Sequence, residues 1–158
     1  MAKSTTKKKP IFKDLRQVRI VLQWLKIEEI LTSILIKLIE NNVDRFYVGS
    51  QGNFDHIVIK ILKSLKIKYP HIDYYIVLAY LPVKKDNYHI DYYKNTLYPE
   101  GLEAVPPRYA IVKRNQWMIE KSDYVIVYVT QPFGNSAKFK TISEKKGKIV
   151  INIADFTE

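Results

Sequence analysis

The chain contains no cysteine. That single absence removes disulfides, thiolate nucleophiles and cysteine-ligated zinc, and it fits a reducing compartment. Histidine is scarce too. His56, His71 and His89 do not fall at i, i+3 or i+4 from one another, so a histidine metal site would need ligands gathered by tertiary folding. No apolar run approaches the ~18 residues of a membrane span, and the basic N-terminus lacks the apolar stretch of a signal peptide. The expectation is a cytoplasmic protein with no membrane partner. Glycine numbers only five. Gly49 and Gly52 stand alone and no Gly-Lys-Ser/Thr follows them, which excludes a strict dinucleotide fingerprint and a P-loop. RNP, KH and helix-turn-helix patterns are also missing.

What is present suffices for one folded domain: 158 residues, 47% of them hydrophobic. The formal charge is +10; Lys3, Lys7, Lys8 and Lys9 carry four of it, so +6 remains on the rest. A positive field of this kind attracts phosphates from mononucleotides to RNA and does not choose among them. Many of the lysines fall on polar helix faces, as a solvated surface requires.

Periodicity divides the chain into a basic flexible tail over residues 1–16 and an α/β domain over 17–158. Val18–Leu22 reads as a short β-rich run, and Ile27, Ile30, Leu31, Ile34, Leu35 and Leu38 then repeat at helical spacing until Asn41-Asn42. Arg45–Val48 is a second strand, and Ile57, Val58, Ile61, Leu62 and Leu65 form the stripe of a second helix that stops before Pro70. Tyr74–Tyr80 is a third strand. Residues 82–107, with four prolines and Tyr88, Tyr92, Tyr93 and Tyr98, show no clean period and read as a long loop of lid or binding type, a pattern that a partly helical insertion would share. A helix over 109–121, a strand over 124–130, a helix over 136–146 and a strand over 148–153 complete the pattern. Strands alternating with helices predict a single Rossmann-like three-layer domain, its five-stranded sheet mostly parallel and ordered 3-2-1-4-5. In that order Val18–Leu22 lies between Arg45–Val48 and the 124–130 strand, and ligands bind at the carboxyl ends there.

Two strand endings meet at that switch point. Phe46-Tyr47-Val48 stops at Gly49-Ser50-Gln51-Gly52, and Val127-Tyr128-Val129 stops at Thr130-Gln131-Pro132-Phe133-Gly134-Asn135-Ser136. Each small, polar loop precedes a helical pattern, so backbone N–H groups at a helix N-terminus face a possible anion. Gln23 and Trp24 join them at the end of the first strand, where Trp24 either stacks on a base or plugs the core. Tyr80, ending the third strand, carries the same ambiguity. Asp55 could accept a ribose hydroxyl or cap its helix. Arg114 could fork a phosphate and Asn115 bond a base or ribose edge, unless both are simply a helix-surface pair.

The run Arg114-Asn115-Gln116-Trp117-Met118-Ile119, followed by Ser122-Asp123-Tyr124-Val125-Ile126-Val127, resembles the SLOG superfamily of Rossmann-like proteins. That group includes LOG-type nucleotide hydrolases, DprA/SMF proteins and the bacterial YpsA-like proteins, which are the nearest in pattern. The resemblance spans residues 18–153 and implies a nucleotide site. Three departures accompany it: Leu22-Gln23-Trp24 stands where members carry a Gly-His-Arg-like turn, Asn135 replaces a second glycine, and Ala137-Lys138-Phe139-Lys140-Thr141 lacks the catalytic Glu of the hydrolases. The resemblance therefore implies a binding module for a nucleotide or NAD-derived molecule such as an ADP-ribose derivative, a sensor or sequestering protein of bacterial or phage defence. No cofactor or metal is required, and self-association is compatible with it. A LOG-like phosphoribohydrolase acting on nucleoside 5′-monophosphates is the alternative, with Asp55 and Glu144 as its only carboxylate candidates. A third reading, a DprA-like single-strand nucleic-acid binder, rests on interleaved Tyr and Lys over 84–98, where Asp86 and Asp91 weaken the electrostatic case.

Overall fold

The computed structural model describes residues 15–82 and 94–157, with side chains from residue 23 onward. Helix α1 (Leu15–Glu40) is followed by strand β1 (Arg45–Val48), helix α2 (Asn53–Lys68), strand β2 (Asp73–Val77) and a two-residue strand β3 (Thr96–Leu97). A 3-10 turn at Leu102–Ala104 leads into α3 (Pro107–Lys121), then β4 (Tyr124–Val127), α4 (Asn135–Lys145), β5 (Ile149–Asn152) and a closing 3-10 turn. The protein is thus mixed α/β with parallel strands.

The largest departure from the expected pattern is at the start. Val18–Leu22 is not a strand: its backbone belongs to α1, which runs unbroken for 26 residues. A five-residue apolar run carries too little period to separate strand from helix. No glycine or proline lies between Leu15 and Glu40 to stop a helix, and Gln23, Lys26, Glu28 and Glu29 are good helix formers. The stop at Asn41-Asn42 is physical. Asn42 adopts φ +66°, Val43 N–H donates to Leu38 C=O at 3.0 Å and Asn42 N–H to Ile39 C=O at 3.0 Å, a Schellman closure that turns the chain into β1.

The strands form two parallel sheets, β1-β2-β3 and β4-β5, so the single five-stranded order is replaced by two separate pieces among the described residues. Phe46 pairs with Tyr74 and Val48 with Ile76, while Val125 pairs with Val150 and Val127 with Asn152. Ile27, Leu31, Leu35, Ile61, Leu62 and Leu65 pack with Phe46, Val48 and Tyr74 in one buried cluster, so α1 and α2 cover one face of β1-β2. Alternate residues point the other way. Tyr47 stacks on Tyr75 at 5.9 Å and meets the edge of Trp117 at 5.3 Å, which seats α3 on the opposite face. The expected loop over 82–107 also contains order: β3 adds to β2 through Ile76–Thr96 and Val77–Leu97 pairing, and α3 begins at Pro107. Tyr88, Tyr92, Tyr93, Asp86 and Asp91 lie outside the described residues, as do the lysines of the basic tail.

Candidate functional site at the carboxyl ends of β1 and β4

A cavity of about 770 Å³ runs between the two sheets, lined by β1 on one side of its residue set and by β4 on the other. Of the residues expected to bind ligand, Gly49, Asp55, Asn115 and Ser136 line it. They come from four different segments, at the carboxyl end of β1, the first turn of α2, the middle of α3 and the first turn of α4.

Gly49 is buried where two charged groups crowd it. A Cβ there would lie 2.7 Å from Asp55 Oδ2 and 3.1 Å from Arg114 Nη1, so only glycine leaves room for the carboxylate and the guanidinium together. Asp55 Oδ2 accepts the backbone N–H of Gln51 at 2.9 Å, which ties the loop after β1 to the first turn of α2 without capping a helix N–H. Its second oxygen has no hydrogen bond among the described residues. Ser50 and Gln51 hold each other loosely, Gln51 Nε2 donating to Ser50 Oγ at 3.4 Å. Gly52, the N-cap of α2, has extended backbone at φ −162° and open space around it, so no steric requirement for glycine exists there.

Arg114 is 2% exposed, the largest fully buried side chain of the protein's described part. Its Nε donates to Asn115 Oδ1 at 2.8 Å and its Nη1 to Val77 C=O at 2.9 Å. Burial holds the guanidinium below its ordinary pKa, against the raising influence of Asp55 and Tyr80. A bidentate phosphate fork is therefore already committed to the protein. Arg114 ties the carboxyl end of β2 to α3 and orients Asn115 toward the cavity. Tyr80 contributes to the same seam, its hydroxyl donating to Pro107 C=O at 3.0 Å.

On the β4 side, Thr130, Gln131, Gly134, Asn135 and Ser136 are exposed. Gly134 is the N-cap of α4 at φ +95°, a conformation that L side chains rarely adopt. Neither α2 nor α4 has a side-chain cap, so both present open N–H groups. Gln23 and Trp24, expected at a strand end, sit on α1 instead. They still reach this end of the molecule through Tyr128: Gln23 Nε2 donates to its hydroxyl at 2.7 Å, and the Trp24 ring lies 6.2 Å from its ring. Trp24 packs against the core, the plug role.

Glu144 stands away from the cavity mouth, nine residues or roughly 13 Å along α4 from Asn135, and is paired with Lys140 at 2.7 Å. Three residues escaped the sequence reading. Phe54 and Tyr128 line the cavity and stack at 6.3 Å. Asn152 is buried, accepts Val129 N–H at 2.9 Å and donates to Val129 C=O at 3.0 Å, so it fixes the exit of β4. A polar residue closing the apolar run Ile149–Ile151 was its only signal. Among the described residues no group of three or more His, Asp or Glu could hold a metal ion, and no helix is long and apolar enough to cross a membrane.

No family model, curated protein or solved structure matches this chain. What the site can do follows from its chemistry alone. An anion finds N–H groups at α2 and α4, a hydroxyl finds the free oxygen of Asp55, and an aromatic ring finds Phe54 and Tyr128.

Proposed function

We propose that this protein is a binding module for a nucleotide or NAD-derived small molecule, seated at the carboxyl-end mouth of the cavity. The observation that carries the reading is convergence. Two uncapped helix N-termini flank one cavity whose lining includes Gly49, Asp55, Asn115 and Ser136. Phosphate sits against the first turn of α4 with the Ser136 hydroxyl, ribose against Asp55, and the base beside Asn115, Phe54 and Tyr128. Arg114 acts as a positioning residue beneath them. The SLOG-like order of Arg114-Asn115 and Ser122-Asp123 before β4 supports the same reading. The expected sheet order, with Val18–Leu22 between β1 and β4, requires that segment to rearrange.

Calorimetry with AMP, ADP-ribose and NAD tests the proposal. At least one ligand should bind, and Ser136→Ala and Asp55→Asn should each weaken it about tenfold, the loss of roughly one hydrogen bond to a charged group. No binding by any of the three, in protein shown to be folded, rejects the site. Chromatography of AMP held with stoichiometric protein separates binder from hydrolase: intact AMP is expected, and free base that vanishes in Asp55→Asn would assign phosphoribohydrolysis instead.

A further inference from the structure

The cavity is longer than its mouth requires. Beyond Gly49 and Ser136 it continues along the whole of Arg45–Val48 and of Tyr124–Val127, and reaches the turn at Asn41–Asp44 and the segment Lys121–Asp123 at the amino ends of the strands. Its remaining walls include Leu31, Leu35 and Leu38 of α1, Leu62 of α2 and Ile119 of α3. This is a slot of strand length between β1 and β4, with apolar walls from the helices and polar groups at its ends. Each of those strands is paired on one side only among the described residues, β1 with β2 and β4 with β5. Interior backbone edges left unpaired are costly, and an added parallel strand would satisfy both at once.

We infer that the slot is the seat of a further strand supplied by Val18–Leu22 of the same chain, and that the helix over these residues is the open form of a two-state segment. Topology selects the direction. α1 leads into β1 through the tight turn at Asn41–Val43, so its other end lies toward the carboxyl ends of the strands, where Gln23 and Trp24 meet Tyr128. A strand that ends at Leu22 therefore reaches the start of a shortened α1 without a linker, and the strand–helix–β1 unit has the ordinary parallel crossover form. Length agrees as well. Five extended residues span about 16 Å against about 13 Å for the four-residue strands on either side. Composition favours this segment over residues 1–14, because Val18, Ile20 and Val21 are β-branched and Leu22 is apolar, with Arg19 its one charge, whereas Lys7-Lys8-Lys9-Pro10 suits no buried strand. The inference does not rest on the identity of the ligand.

Isotope-labelled full-length protein reports directly on the segment. The expected result is extended secondary chemical shifts over Val18–Leu22, in all molecules or as a second set of signals, with cross-peaks to both β1 and β4 and slow amide exchange at the slot-facing edges. Helical shifts alone through residues 15–40, joined to fast exchange at those edges, overturn it. Cross-peaks from residues 1–14, or cross-peaks present only between differently labelled chains, also overturn it by assigning the slot to the tail or to a second copy. The double variant Ile20→Ala/Val21→Ala gives an independent readout, since alanine favours helix over strand. A fall in Tm of about 5 °C or more supports a buried strand; an unchanged or higher Tm supports the helix and rejects the inference.

Discussion

At the residue scale, Gly49 and Arg114 define one small volume. Adding a methyl group at Gly49 puts it 2.7 Å from a carboxylate oxygen that is itself held by Gln51 N–H, so the neighbour cannot simply swing away. Gly49→Ala should cost about 1–3 kcal/mol, the ordinary penalty of overpacking, measured by denaturant unfolding. Gly52→Ala, with extended backbone and nothing nearby, should leave stability unchanged and so serves as the control. Arg114→Met keeps the length of the side chain but leaves Val77 C=O without its donor. It should destabilise by about 1–3 kcal/mol, and Arg114→Lys should fall between, because an ammonium cannot bridge Val77 and Asn115 together. The sequence marked Arg114 as a candidate ligand contact, but its burial was not legible: Lys113-Arg114-Asn115 reads as a polar helix face until β2 and Gly49 are packed against it.

At the scale of elements, the turn after α1 illustrates how a local signal can be decisive. Asn42 occupies a left-handed position at φ +66°, which a β-branched residue adopts only at a cost of about 1–2 kcal/mol. Asn42→Val should lower the unfolding free energy by that amount, whereas Asn42→Gly should match the parent or exceed it slightly; thermal unfolding of the two variants decides. Elements bounded by such stops were legible in the sequence. α2 ends before Pro70, α4 begins after Gly134, and β1, β4 and β5 are apolar runs closed by polar residues. Val18–Leu22 was not, because its β-branched composition and its unbroken helical surroundings point in opposite directions. β3 was illegible for another reason: two residues have no period, and Thr96 and Leu97 become a strand only by pairing with Ile76 and Val77. The role of Asn152 is likewise tertiary, since Val129 lies 23 residues away.

At the scale of the whole molecule, the charge of +10 sets long-range behaviour. The four lysines before Pro10 are remote in sequence from both site loops, so deleting residues 1–9 should remove weak, salt-sensitive adsorption to DNA or RNA and leave mononucleotide affinity within about twofold. Filter binding over a salt series checks this. A steep salt dependence that survives the deletion, together with loss of single-strand affinity in Tyr92→Ala, would favour the nucleic-acid reading.

The contact between Trp24 and Tyr128 also makes the molecule observable. The chain has only two tryptophans, and they occupy opposite environments: Trp24 beside Tyr128 near the cavity mouth, Trp117 against Tyr47 on the far face of the β1-β2 sheet. With Trp117 replaced by phenylalanine, all indole emission comes from the mouth. Anything that enters there, or any movement of α1 that parts Trp24 from the phenol 6.2 Å away, changes the emission and the energy it receives from Tyr128. The protein thus carries its own optical probe, with no dye attached.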